Sequence, residues 1–228
     1  MNFFMEGRGS DSPYVDMIWR GWAGRNYAPT CPADSHWNLL FLKQQGKIKV
    51  SVEGPLARAK LKTHTEGTEW LVIRFKLGTF LSSLSLKNLV DGEMILPEAA
   101  SQSFWFHGSP WQLPDFENAE TFVNRLVRAG LLVRDPLVNA LLQEQPQEIS
   151  SRTVRRRFLL ATGLTPKRIE QIERAGQAAA LLEQGVSLLD VVYQVGYADQ
   201  PHMTRSLKRF RGQTPAQIAR LQNGGDAG

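Results

Sequence analysis

Residues 150–169 read SSRTVRRRFLLATGLTPKRI, and residues 199–218 read DQPHMTRSLKRFRGQTPAQI. Laid over one another at an offset of 49 positions, Ser150 meets Asp199, Val154 meets Met203, Arg156 meets Arg205 and Phe158 meets Leu207. Further along, Gly163 meets Gly212, Thr165-Pro166 meets Thr214-Pro215, and Ile169 meets Ile218. A fixed offset of this kind marks a duplicated supersecondary unit. Each copy carries its own start and stop. Ser150 and Asp199 are N-cap residues, whose side-chain oxygens accept from N–H groups of the first turn. Gly163 and Gly212 end the helices, because glycine enters the left-handed conformation without a steric penalty. Thr-Pro then opens the next helix, with proline where no N–H is needed.

In the second copy the preceding helix is also legible. Gly185 ends a long helix, Ser187-x-x-Asp190 is a capping box, and Leu188 to Gln194 makes a short helix that Gly196 turns. A short support helix followed by a second, projecting helix is a helix-turn-helix. Around that second helix, Met203, Leu207 and Phe210 share one side. At about 100° per residue, Arg205 lies near ~200° from Met203, Arg209 near ~240° and His202 near ~260°, facing away from the core. In the first copy Val154, Phe158 and Ala161 face inward, and Arg152, Arg155, Arg156 and Leu159 face outward. Between the copies, Ile169, Ile172, Ala175, Ala179 and Leu182 recur at helical spacing. The connecting helix has about 18 residues and is roughly 27 Å long, near the ~34 Å of one duplex turn.

Charge agrees with this division. The first 147 residues hold 15 Lys/Arg and 15 Asp/Glu, while the rest hold 12 and 7, so the whole net charge of +5 lies in the last third. A basic module joined to a neutral one is a footprint of nucleic-acid binding. A basic helix face fits a major groove, where Arg bonds guanine O6 and N7 or neutralises phosphates. The first residues of such a helix reach bases; here they are Arg152, Thr153 and Arg155, and Gln200, His202 and Arg205.

The first 110 or so residues read as strands. HWNLLFLKQQGKIKVSVEG predicts two strands joined near Gln45–Gly46, and TEWLVIRFKLG and GEMILP predict two more. GPLARAKLK predicts a further strand, SFWFHGSPWQLPDF a loop packed on a core, and residues 1–15 a frayed terminus. Asn118 predicts the cap of a helix from Ala119 to Ala129, and Asp135-Pro136 starts another that stops before Pro146. The expected fold is α+β with two domains. Residues 1–115 form a small antiparallel β-barrel or sandwich, cupin-like in outline, for sensing or assembly. Residues 116–134 are a connecting helix and linker, and residues 135–228 are an all-α tandem helix-turn-helix joined by a long helix. Phe122 and Leu126 offer a dimer contact.

The repeat, the connecting helix and SLLDVVYQVGYADQPHMTRSLKRFRGQTPAQI resemble the AraC/XylS family of bacterial transcription regulators, over residues 135–221. The resemblance implies two helix-turn-helix motifs on an asymmetric DNA site, bound as monomer or dimer, and an N-terminal sensory or dimerisation domain. It places base- and phosphate-contacting positions on Arg152, Arg155 and Arg156 and on Gln200, Pro201, His202 and Arg205. With Thr153, Thr204 and Arg209 these complete the candidate DNA-binding set. Two departures stand out. The family has Ala in each support helix, whereas the second motif here has Val192, and the first has Gln143-Glu144 with Pro146 soon after. The first support helix must therefore be shortened or shifted. Pro201 also removes a side-chain donor where a polar residue is usual.

Nothing in the sequence points to chemistry. His36, His64 and His107 lack metal-ligand spacing, Cys31 has no activating neighbour, and no nucleophile elbow or phosphate loop occurs. A single cysteine, no signal-peptide pattern and apolar runs as short as WLVIRF predict a cytoplasmic protein with no membrane partner. The expectation is a DNA-binding transcription regulator with no catalytic residue, metal or cofactor. Its partners are double-stranded DNA, RNA polymerase, a small-molecule effector and a second copy. Six tryptophans in the first half, Trp19 to Trp111, suit a core or an aromatic effector cavity. The alternatives are a cupin-type metal-dependent enzyme with a helical appendage, and an adaptor binding an acidic protein.

Overall fold

The structure, a computed structural model, describes residues 3–100, 102–143, 145 and 149–223. In chain order the strands are β1 (Phe3–Gly9), β2 (Val15–Ala23), β3 (Thr30–Cys31), β4 (Asn38–Gln44), β5 (Lys47–Glu53), β6 (Lys60–Leu61) and β7 (Glu69–Phe75). They continue with β8 (Thr79–Leu81), β9 (Glu93–Leu96), β10 (Glu98–Ala99), β11 (Ser103–Phe106), β12 (Ser109–Gln112) and β13 (Leu132–Arg134). The helices are α1 (Ala119–Arg128), α2 (Pro136–Leu142), α3 (Ser151–Thr162), α4 (Pro166–Glu183), α5 (Leu188–Val195), α6 (Gln200–Arg211) and α7 (Pro215–Asn223), with a 3-10 turn at Leu86–Leu89. The chain forms two units. One holds the chain up to Ala28, His36–Pro55 and Thr63–Thr165; the other holds Pro29–Ser35, Leu56–Lys62 and the chain from Pro166 onward.

Antiparallel β structure dominates the first unit. A six-stranded sheet runs in the order β1-β2-β7-β4-β5-β9. It is open rather than a closed barrel among the described residues. Alternation puts Leu39 and Phe41 of β4 on one face and Leu40 on the other. The larger core closes over the sheet with Phe122, Val123 and Leu126 of α1 and Phe104, Phe106 and Trp111 of β11 and β12. Trp37 stacks on Phe75 with ring centroids 4.0 Å apart. Gln45 and Gly46 take φ of 49° and 78°, the turn geometry that matches the twist of a two-residue hairpin between β4 and β5.

Several expectations are corrected. The terminus is not frayed from Phe3 on, because β1 pairs along its length with β2. Arg8 of β1 also pairs with Glu120 of α1 and donates to the Phe116 carbonyl at 2.7 Å. SFWFHGSPWQ is not a loop but the β11–β12 hairpin, turned at His107 and Gly108 with φ of 51° and 71°. Its Pro110 is tolerated because β12 is an edge strand. GPLARAKLK yields only the two residues of β6, paired with β3. Asn118 stands at the cap position of α1 without capping it; its side-chain oxygen instead accepts from the Asp115 N–H at 3.1 Å. Phe122 and Leu126 are buried in the core and offer no dimer contact.

Helices α2 and α3 pack with the β-rich unit. Strand β13 pairs with β8, and α3 lies against β8 and the 3-10 turn. Two devices fix it there. Gly163, at φ 75°, ends α3 where a Cβ would lie 2.8 Å from the Leu86 carbonyl oxygen, so glycine is required by conformation and by space. Asp135, only 7% exposed, caps α2 by accepting from Leu137 and Val138 N–H at 2.9 and 3.1 Å. The same carboxylate takes two hydrogen bonds from Arg157 of α3, at 2.6 and 2.9 Å. Burial pushes the Asp135 carboxyl up, but the Arg157 guanidinium and the two N–H groups outweigh it and hold it below its ordinary value. The first support helix is indeed short, ending at Leu142; Glu144 and Pro146 lie outside the described residues.

Three substitutions test these anchors, with Gly196 as the unobstructed comparison. Gly196→Ala, with a left-handed φ but open space around it, should cost about 1–2 kcal/mol in denaturant unfolding. Gly163→Ala should cost clearly more, because it adds a backbone clash to the same strain. Asp135→Ala should lower stability by roughly 2 kcal/mol, the sum of a lost cap and lost charge-assisted bonds. Because the folded carboxyl is depressed, its contribution is present above the unfolded value and is lost as pH falls through the folded one. The stability difference between wild type and Asp135→Ala should accordingly shrink on acidification below about pH 4.

Candidate nucleic-acid interface

In the second unit α4 is the scaffold. Ile169, Ile172, Ala175, Ala178, Ala179 and Leu182 are buried along it. The alanines let neighbouring helices approach closely. Val191 of α5, Met203, Leu207 and Phe210 of α6, and Ile218 of α7 are further buried apolar side chains of this unit's helices. Ser187 caps α5, accepting from the Asp190 N–H at 3.2 Å and donating its hydroxyl to the Asp190 carboxylate at 2.6 Å. Gly196, at φ 74°, turns the chain. Tyr197 then locks the turn to α6. It is buried, its hydroxyl lies 3.0 Å from Ser206 Oγ, and its ring meets His202 edge-on at 5.3 Å. Burial pushes the Tyr197 hydroxyl's pKa up. Sequence reading passed over Tyr197; a lone aromatic directly after a turn glycine was the available signal.

Helix α6 starts at Asp199, whose carboxylate accepts from the His202 N–H at 2.6 Å. Pro201 sits in the first turn, where its missing N–H is no loss. At the other end Gly212 has φ 73° and bonds to the Lys208 carbonyl at 3.1 Å. The next two carbonyls are met by loop residues of the same unit. Ala59 N–H donates to Arg209 O at 2.9 Å, and Ala33 N–H donates to Phe210 O at 2.6 Å. Here a Cβ on Gly212 would lie 2.6 Å from Thr30 Cγ2.

With its back and both ends held, α6 exposes Gln200, Pro201, His202, Arg205, Lys208 and Arg209. Thr204 is half-buried, and its hydroxyl donates to the Gln200 carbonyl at 2.9 Å. Arg209 lies 5.5 Å from the ring centre of Phe210. Arg211 is set apart from this face: it is half-buried, 3.9 Å from Glu183. Lys208 belongs to the exposed face although the expected set omitted it.

In the first unit α3 repeats the arrangement. Ser150 caps it, accepting from the Thr153 N–H at 3.3 Å, and the two hydroxyls lie 3.0 Å apart. Phe158, Ala161 and Thr162 are buried and Val154 is half-buried. Arg152, Thr153, Arg155 and Arg156 are exposed. Among the described residues, none of Arg152, Arg155, Arg156, Arg205 and Arg209 has a carboxylate partner, whereas Arg157 on the same helix as the first three is held by Asp135. The expected residues thus fall into two sets, four on α3 and six on α6. Among the described residues no group of three metal-ligating side chains occurs, and no helix is long and apolar enough to cross a membrane.

Comparison with known proteins bears on the same segment. Residues 147–220 match the family described as "Helix-turn-helix domain". The HTH-type transcriptional regulator RipA of Corynebacterium glutamicum is 35% identical over 103 residues, covering 44% of this chain and 31% of that protein. Its namesake in Corynebacterium diphtheriae is 30% identical over 125 residues, covering 55% of this chain and 36% of that protein. The chain thus spans about a third of the length of these curated relatives. ToxT from Vibrio cholerae superposes over 98% of this chain and 100% of its own with 11% identity and a TM-score of 0.37, too loose a likeness to carry weight. The segment matched by the family and the paired, capped basic helices agree: residues 147–220 are similar to a helix-turn-helix domain.

Proposed function

We propose that the chain is a sequence-specific DNA-binding regulator of transcription, of the AraC type, in which α3 and α6 each enter a major groove. One observation carries the reading. The same device occurs twice: a helix closed at both ends, buried along its apolar back, whose exposed face holds arginines without carboxylate partners among the described residues. Unpaired guanidinium groups on a fixed helix are what phosphates and guanine edges require. In this reading Gln200, His202 and Arg205 of α6 and Arg152, Thr153 and Arg155 of α3 face bases. Arg156, Thr204 and Arg209 flank them, and Pro201 shapes the first turn. Residues 135–228 read DNA, residues 116–134 connect, and residues 1–115 sense or assemble. A small apolar or aromatic effector has a groove of about 490 Å³ in the first unit, with Phe4, Trp22, Phe41 and Trp70 among its walls. Bound to its site in the cytoplasm, the protein recruits or occludes RNA polymerase, alone or with a second copy, and performs no chemistry.

A binding selection on random duplex DNA, read at low and physiological salt, tests this directly. Enrichment of a motif with two contact blocks about one duplex turn apart is the expected result. No enrichment, with affinity vanishing as salt rises, would leave only unspecific charge binding and reject the proposal. On the selected duplex, Arg205→Ala should weaken binding by roughly 1–3 kcal/mol, the worth of one good base contact. Unchanged affinity in a folded variant would remove Arg205 from the interface.

A further inference from the structure

Helix α3 does not present its arginines alone. A concavity of about 380 Å³ is lined by Arg152, Arg155 and Arg156 of α3 together with Lys87 of the 3-10 turn and Ser85 just before it, and by Leu159 and Leu160. Four cationic side chains share it, and among the described residues no carboxylate lines it. All four are exposed, and none has a carboxylate partner among the described residues. Like charges gathered around one hollow repel each other unless an anion sits among them.

The placement of Lys87 is fixed by packing. Its neighbour Leu86 is fully buried and Leu89 nearly so, and the turn is tied by the Asn88 N–H on Ser85 O at 3.1 Å. Gly163 at the end of α3 is seated on the same backbone, where its absent Cβ would lie 2.8 Å from Leu86 O and 3.3 Å from Lys87 N. Lys87 therefore belongs, by geometry, to the basic face of α3, although it is encoded in the β-rich half of the sequence.

We infer that Lys87 is a phosphate anchor of the DNA interface, gripping the sugar-phosphate backbone beside the groove that α3 enters. This rests on the reading of α3 as a DNA-facing helix. A helix in a major groove has a phosphate strand along each flank, and the hollow between α3 and the 3-10 turn lies on such a flank. Lysine suits the role, since a flexible stem carrying a point charge finds a phosphate without dictating sequence. The β-rich half thereby contributes directly to DNA affinity and not only to control of it.

The test uses the full chain, the selected duplex and a scrambled duplex, and a series of salt concentrations. Lys87→Ala should weaken binding to both duplexes by the same factor and reduce the log–log salt slope by about 0.9. Lys87→Arg should keep the wild-type slope. Wild-type affinity and slope in Lys87→Ala would overturn the inference, as would a loss confined to the selected duplex. Inorganic phosphate, added at constant ionic strength, that binds wild type but not Lys87→Ala while leaving DNA in place would identify a free anion as the occupant and overturn it too. Arg205→Ala measured alongside separates the two readings. If it weakens selective binding while Lys87→Ala changes nothing, only the anchor fails. If wild type itself does not prefer the selected duplex over the scrambled one, DNA reading fails.

Discussion

An α-helix leaves N–H groups at its start and carbonyls at its end without partners, and in α3 and α6 these groups are met in parallel ways. Ser150 and Asp199 accept from the first turns, and Gly163 and Gly212 fold the chain back on the last. Closure of the ends helps to hold a helix that carries so much positive charge. A face carrying several arginines gains little from its own side chains and is held by its buried back, its caps and the residues beyond it. Because the helices are fixed before any ligand arrives, their charged faces are preorganised, and binding need not order them.

The basic residues divide cleanly by what surrounds them. Arg157 is spent on Asp135, Arg8 on Glu120, and Arg211 is half-buried beside Glu183. These are structural cations, each tying two elements together. Arg152, Arg155, Arg156, Arg205 and Arg209 are not neutralised within the described structure. The division runs within α3 itself, where adjacent residues 156 and 157 have opposite fates because only the latter faces the capped start of α2.

Much of this was legible in the sequence where the signal is short-range. Caps, turn glycines and the apolar stripe of α6 depend on residues within a turn of one another, and the repeat made each visible twice. Longer-range features were not. The amphipathic stripe of α1 shows that Phe122 and Leu126 are covered but not by what, so a dimer and a sheet looked alike until the sheet was seen to take them. The β11–β12 hairpin hid behind His107 at its turn and Pro110 in its strand, neither a strong hairpin signal. Asn118 had an alternative partner at Asp115 that propensity does not register. Lys87 lies between the stretches read as strands and gave no sign that it would meet α3.

The end of α6 is finished by residues from far earlier in the chain, since Ala33 and Ala59 supply the N–H groups for Phe210 and Arg209. During synthesis those loops emerge long before the helix that needs them, so the last turn of α6 waits on no later part of the chain. The reverse also holds. The helical region is continuous in sequence but not self-contained in structure, and a piece cut out of the chain carries away α6 with its final turn open to water. Modularity read from sequence boundaries therefore overstates how freely this helical region can be transplanted, because part of its construction is written in the other half of the chain.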